Sequence, residues 1–165
     1  MAEQLWAPWR FDYVKKADSN SVVGCIFVEL PKLDNDRDNL ILYRGKTAFV
    51  MLNGFPYTSG HLMIAPYKHT ADMGELNADE LLEINQLVAR AIGWIKKVYS
   101  PDGYNVGLNI GRAGGAGIPS HLHWHIVPRW SGDTNFMTTI GEVRVMPQSL
   151  ESSYDLLKAV IDESD

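Results

Sequence analysis

The sequence predicts an α+β domain built around a mostly antiparallel sheet. Three observations carry this. Short runs of apolar and β-favouring side chains are bounded by turn residues, one long segment repeats apolar residues at helical spacing, and strand-like runs resume after it. With 165 residues the chain can build one core and is too short for two, so residues 1–165 read as a single domain.

The elements follow in order. The opening "MAEQLWAPWR" lacks the basic-then-apolar order of a secretory signal, and the cluster Trp6, Trp9, Phe11 and Tyr13 alternates too irregularly for a strand, so it reads as packing. The polar stretch Lys32–Asn39, "KLDNDRDN", reads as a mobile connection. "NLILYRG" and "KTAFVMLN" form a hairpin across Arg44-Gly45-Lys46. After the turn-rich "GFPYTSG", a third strand spans Gly60 to Tyr67. Asn77 caps a helix over Ala78–Tyr99, with Glu80 in the capping-box position. Leu81, Ile84, Val88, Ala91, Ile92, Ile95 and Val98 give that helix one apolar face to lay on the sheet. Lys96 and Lys97 suit its C-terminus, and Ser100-Pro101-Asp102-Gly103 stops it. "YNVGLNIG" is a fourth strand, followed by a glycine loop from Gly111 to Gly117 and a short stretch rich in histidine. A helix from Leu150 to Ile161 closes the order.

Composition narrows the function. Hydrophobic residues make up 45% and charged residues 21%, an ordinary soluble globular balance. No apolar run approaches the roughly 20 residues that span a bilayer, so no membrane association is expected. A net charge of −5 argues against binding a nucleic acid polymer, but not against small phosphorylated ligands held by backbone N–H groups. The single cysteine, Cys25, excludes an internal disulfide and suits a reducing cytoplasm.

Three of the five histidines stand at alternate positions in "HLHWHIVPRW", residues 121–130. If this is a strand, His121, His123 and His125 share one face, about 7 Å apart, while Leu122, Trp124 and Ile126 share the other. Imidazole titrates nearest neutrality and can attack, shuttle protons or bind metal. A metal site is one reading, since His-x-His offers two nitrogens to one ion, but no acidic residue lies close in sequence. Nucleophilic catalysis is the other, and the preceding "GLNIGRAGGAGIPS" favours it. Its five glycines permit an anion-binding nest of backbone N–H groups feeding directly into the imidazoles.

"HLHWHIV" fits the His-φ-His-φ-His-φ-φ pattern, φ being apolar, of the histidine triad (HIT) family. "FVMLNGFPYTSGHLMIAPYKH" resembles that family's N-terminal strand pair. "NIGRAGGAGIPSHLHWHIVPRWSGDTNFM" is similar to the branch holding bacterial diadenosine tetraphosphate phosphorylases, related hydrolases and fragile-histidine-triad relatives. The resemblance covers about Leu5 to Pro147. It implies a HIT-like fold, a five-stranded antiparallel sheet with one long helix, and a homodimer. It implies a nucleotide substrate, most simply a dinucleoside polyphosphate that can carry Mg²⁺, and no cofactor for the chemistry. His123 would attack the α-phosphorus to give a covalent nucleotidyl-histidine, released by water or inorganic phosphate. His125 would bond the α-phosphate or its bridging oxygen, and His121 would orient the nucleophile. Backbone N–H groups of Gly115, Ala116 and Gly117, with the Asn109 amide, would hold the phosphoryl oxygens. Asn53 would bond the ribose hydroxyls.

The sequence also departs from the family. Many members carry Gln or Ser four residues before the first histidine, where this chain has Gly117, which bears on leaving-group assistance and on the choice of acceptor. Some bacterial members bind structural zinc through Cys-x-x-Cys, but here Cys25 is followed by Val28 at the second position. His69 and His121 can join Cys25 in principle, yet without the second thiolate no structural zinc is expected, and Cys25 reads as a small buried hydrophobe. His61 reads as a supporting histidine, Asp133 as a turn cap, and Arg129 equally as a distal-phosphate ligand or a surface residue. Phe49, Val50, Leu52 and Phe55 read as base-pocket walls or core, core being the default. The alternatives to a dinucleoside polyphosphate enzyme are a nucleoside phosphoramidate hydrolase, a nucleotide-binding regulator with little turnover, and a metal-dependent hydrolase.

Overall fold

The computed structural model describes residues 24–133 and 148–164. The aromatic cluster Trp6–Tyr13 and the end of the "SGDTNFM" stretch lie outside them. In chain order the elements are a single helical turn, α1 (Ile26–Glu29), running into a 3₁₀ turn at Leu30–Lys32, then β1 (Ile41–Arg44), β2 (Ala48–Leu52) and β3 (Leu62–Pro66). A second 3₁₀ turn at Met73–Glu75 leads into α2 (Ala78–Tyr99), followed by β4 (Gly103–Leu108), β5 (Trp124–Arg129) and α3 (Leu150–Asp162). The strands form one sheet in the order β1-β2-β3-β5-β4, with every neighbouring pair antiparallel.

α2 begins at the expected capping box, in which Asn77 Oδ1 accepts the Glu80 N–H and Glu80 accepts the Asn77 N–H. It ends at Ser100, in the left-handed region at φ 45°. Its face packs Ile84, Leu87, Ala91, Trp94 and Ile95 into the core, with α3 adding Tyr154, Leu157 and Ile161. The β1–β2 turn is pinned from outside the sheet. Glu83 of α2 accepts the Lys46 and Thr47 backbone N–H groups at 2.6 and 2.5 Å, as well as the Thr47 hydroxyl. Burial alone would raise the Glu83 pKa, but these bonds hold it below the usual carboxylate range. Gly45 is required there, since a Cβ would lie 2.7 Å from both the Ala48 carbonyl and Glu83 Oε1.

Strand alternation gives the sheet two different faces. Val50, Leu52, Leu62, Ile64, Trp124 and Ile126 face the helices. Phe49, Met51, Met63 and Ala65 face the other way and are covered by Phe27 of α1. That second face is where the functional residues gather.

Two expectations need correction. Lys32–Asn39 is an anchored segment, because Arg44 donates to the Pro31 and Leu33 carbonyls at 2.7 and 3.2 Å and pairs with Asp36. The histidine stretch is only partly a strand. β5 starts at Trp124, and β3 pairs with it only over Trp124–Ile126, so His121 and His123 lie ahead of the sheet. The Leu122 N–H leaves the ladder for the Thr70 carbonyl, at 2.7 Å. No helix among the described residues is long and apolar enough to cross a membrane.

Candidate active site

His125 is the only triad member within β5, on the face opposite Trp124 and Ile126. His61 sits at the mouth of β3, whose Leu62 pairs with Ile126, and its Nε2 lies 3.0 Å from His125 Nδ1. Gly60 makes that entry possible. Its φ is +77°, and a Cβ would lie 2.7 Å from the Tyr99 ring. His123 is 4% exposed, with its ring centroid 4.8 Å from Phe27 and 5.0 Å from His125. His121 turns away toward Cys25 and His69. The three imidazoles therefore do not form one row: two face a pocket and the third faces behind it.

The hydrogen bonds settle where the ring protons sit. The Tyr57 backbone N–H can only donate, and it reaches His61 Nδ1 at 3.1 Å, so that nitrogen carries a lone pair. His61 Nε2 then carries the proton and donates to His125 Nδ1. Neutral His125 accordingly holds its own proton on Nε2. At His123, Nδ1 meets the His121 carbonyl at 2.9 Å. A carbonyl only accepts, so His123 Nδ1 is protonated and Nε2 bears the lone pair. The site thus holds one imidazole ready to attack beside one ready to donate.

Burial keeps these rings neutral. Desolvation, followed by the neighbouring His125 and His123, pushes His61 down to about 3. Desolvation and His123 take His125 down to about 4. His123 is lowered by desolvation, against an opposing bond to the His121 carbonyl. The reference pKa near 6.5 therefore understates how fully neutral the nucleophile is at pH 7. Because the unfolded chain binds protons first, the stability held by His61 and His125 is complete above about 6.5 and drains as pH falls toward 4. At pH 5 the expected loss is on the order of 2 kcal/mol per ring, measurable as a falling urea midpoint between pH 7 and 5.

A cavity of about 250 Å³ opens in front of His123 and His125. Its lining includes the apolar Ile26, Phe27, Leu30, Met51, Phe55 and Ile118, together with Asn53, Asn109 and Gly115 and Gly117 of the glycine loop. That volume is just below the usual range of ligand pockets. Of the four residues read as wall or core, Phe49, Val50 and Leu52 are core, while Phe55 is 46% exposed and lines the cavity.

The amino-acid sequence matches a known family model. A HIT domain model matches residues 35–132. The chain belongs to the HIT family. It is 41% identical over 161 residues to an AP-4-A phosphorylase of Mycobacterium tuberculosis, covering 94% of this chain and 82% of that protein. Among solved structures it resembles a hypothetical histidine triad nucleotide-binding protein of Sulfolobus tokodaii. That likeness has 30% identity and a TM-score of 0.64, and covers 85% of this chain and 91% of the other. It also resembles a zinc-bound histidine triad family protein of Mycobacterium smegmatis, with 26% identity and a TM-score of 0.62, covering 76% of this chain and 88% of the other.

In this HIT protein the glycine loop is more self-contained than expected. The Gly115 N–H donates to the Arg112 carbonyl at 3.0 Å and the Ala116 N–H to the Gly111 carbonyl at 3.2 Å. Among the described residues the Gly117 N–H makes no such bond, so of the three it is the donor available to a phosphate. Ala116 is not among the cavity-lining residues, whereas Gly115, Gly117 and Asn109 are. Asn53 lines the cavity and is also a turn residue, its Oδ1 accepting the Phe55 N–H at 2.9 Å. Arg129 pairs with Asp133 and donates to Asn105 at 2.7 Å, which makes it a surface residue of the β4–β5 end. Sequence reasoning missed the cavity residues Asp38 and Asn39, hidden in a polar stretch that looked like a connection, and Leu40, which it placed in a hairpin strand. His61, read from the sequence as a supporting histidine, stands against His125.

The structure brings together the trio that the sequence reading set aside. Donor atoms of Cys25, His69 and His121 all lie within 4.8 Å of one another. Their chemistry, one sulfur and two imidazoles, fits zinc. His121 donates Nε2–H to the Pro66 carbonyl at 2.9 Å, which turns the Nδ1 lone pair toward Cys25 Sγ, 3.4 Å away. An ion held by these residues would supply cross-linking between α1, the β3–α2 segment and the approach to β5. Burial pushes the unmetallated Cys25 thiol up.

Proposed function

We propose that this HIT protein cleaves dinucleoside polyphosphates through a covalent nucleotidyl-histidine. The observation that carries the reading is the pairing of an Nε2 lone pair on His123 with an Nε2–H on His125 beside the cavity. The apolar wall takes the base, Asn53 the ribose hydroxyls, and Asn109 with the Gly117 N–H the α-phosphate oxygens. His123 Nε2 forms a bond to the α-phosphorus, and the bond to the bridging oxygen breaks. His125 Nε2–H bonds the departing oxygen, and the rest of the polyphosphate leaves from the solvent side. An oxygen of the second substrate then displaces the histidine. The AP-4-A phosphorylase relative favours inorganic phosphate as that substrate.

Product analysis with diadenosine tetraphosphate tests this. ADP plus ATP formed only with phosphate is the expected result. AMP plus ATP without phosphate would make water the acceptor, and no cleavage in either condition would leave the protein a nucleotide binder or direct attention to phosphoramidates. Turnover lost on chelation would instead support a metal-dependent hydrolase.

We infer that two copies pair along β4. This strand ends the sheet and exposes Val106 at 45%, with Ile110, two residues beyond it, exposed at 54%. An apolar edge with open backbone groups is a template for a second strand. Light scattering should give about twice the 18.5 kDa chain mass, and Val106→Lys should return it to one copy.

A further inference from the structure

We propose that Asp38 and Asn39 read the edge of the nucleotide base, favouring one with an amino group beside a ring-nitrogen acceptor over its oxo counterpart. This choice rests on the nucleotide reading of the cavity and adds the class of base to it.

In the strand order β1-β2-β3-β5-β4, His125 lies on β5, Asn53 follows β2, and Asp38, Asn39 and Leu40 lead into β1. β1 and β5 are three strand spacings apart, about 14 Å. All five residues line the same cavity. A nucleotide with its α-phosphate at His123 and its ribose at Asn53 therefore carries its base toward the turn before β1. That turn is fixed by the backbone. The Leu40 N–H donates to the Arg37 carbonyl at 3.1 Å, and the Leu40 carbonyl accepts the Leu52 N–H at 2.8 Å. These bonds hold Leu40 at φ +59°, a left-handed conformation uncommon outside glycine and concentrated at ligand sites.

Two side chains of the turn have hydrogen-bonding capacity to spare. Asn39 Nδ2 is buried and meets no acceptor among the described residues, a costly state in the free protein. Asp38 is exposed, and its Oδ2 accepts the Asn35 Nδ2–H at 2.6 Å, which leaves Oδ1 open. The neighbouring Arg37 is committed to Asp155. Around them the side chains of Phe27, Leu30 and Met51 can pack on the faces of a base but cannot tell one base from another. A donor beside an acceptor can. Adenine presents an amino N–H next to a ring-nitrogen lone pair, and cytosine does the same. The amino group donates to Asp38, and the ring nitrogen accepts from Asn39. Hypoxanthine and uracil place a carbonyl oxygen where the amino group stood, so Asp38 loses its donor and faces lone pairs instead.

Calorimetric titration of the full chain with AMP, IMP, CMP and UMP tests this, because each amino and oxo pair differs at one position of the base. AMP should bind roughly tenfold or more tightly than IMP, and CMP should likewise exceed UMP. Asp38→Ala, which alters an exposed side chain, and Asn39→Ala should each collapse both differences. Ribose 5-phosphate, which has no base, should bind both variants and the wild type alike. Equal affinities within each pair for the wild type, or a preference that survives in either variant, would overturn the base reading and leave the nucleotide site standing. No binding of any of the four nucleotides would overturn both.

Discussion

His123→Ala is expected to lower kcat by at least about three orders of magnitude while nucleotide affinity stays within a few-fold. The asymmetry follows from where the side chain acts. His123 supplies the atom that bonds phosphorus, an interaction realised only along the reaction path, whereas the apolar wall, Asn53 and Asn109 bind the ground state as well. No other imidazole can substitute. His125 presents Nε2–H and no lone pair, because His61 occupies its Nδ1, and His121 has both ring nitrogens turned to Pro66 and Cys25. The ring also packs on Phe27, so its loss leaves a small void and costs on the order of 1–2 kcal/mol of stability. Single-turnover assays with labelled diadenosine tetraphosphate separate the two effects. Wild type should carry label into an acid-labile protein adduct, and the variant should bind label without retaining it after denaturation. An active variant would remove the covalent mechanism.

What the sequence made legible divides along physical lines. The boundaries of α2 were readable because Asn77, Glu80 and Ser100-Pro101 act locally, through bonds and dihedrals within a few residues. The β1–β2 hairpin was readable from Arg44-Gly45-Lys46, although the Glu83 carboxylate that pins its turn comes from α2. The triad residues announced themselves by type and spacing, but their arrangement did not, since it depends on partners far away in sequence. Thr70 draws Leu122 out of the ladder, and Pro66 and Cys25 turn His121 away from its companions. The loop was misread in the same way. Its glycines suggested free N–H groups, yet Arg112 and Gly111 supply acceptors inside the loop. Arg129 stood evenly between a distal phosphate and the surface until the fold brought Asn105 beside it and Asp133 turned back upon it. In each case the pattern gave the chemistry available, and long-range pairing decided which atom was left to use it.

His61→Phe is the second large effect, an expected fall in kcat of roughly 10²-fold with KM nearly unchanged. His61 does not line the cavity, so it acts through His125 as a positioning residue. Its Nδ1 accepts a hydrogen bond from the Tyr57 N–H on one side, and its Nε2–H donates to His125 Nδ1 on the other. Phenylalanine keeps the aromatic body beside Tyr57, whose ring centroid is 4.7 Å away, but removes both nitrogens. His125 Nδ1 is then buried without a donor, and the ring lowers its energy by moving its proton there to reach another acceptor or by protonating fully. Either change spoils the donor aimed at the leaving oxygen or adds charge beside the nucleophile. Two readouts separate this role from a general loss of structure. Nitrogen-15 spectra of labelled histidine should show His125 as the Nε2–H tautomer in wild type and a mixed or cationic ring in the variant. The acid limb of kcat/KM should also move upward, because the bond that favoured neutral His125 is gone. A variant with lower kcat, an unchanged His125 tautomer and an unmoved acid limb would reduce His61 to a packing residue.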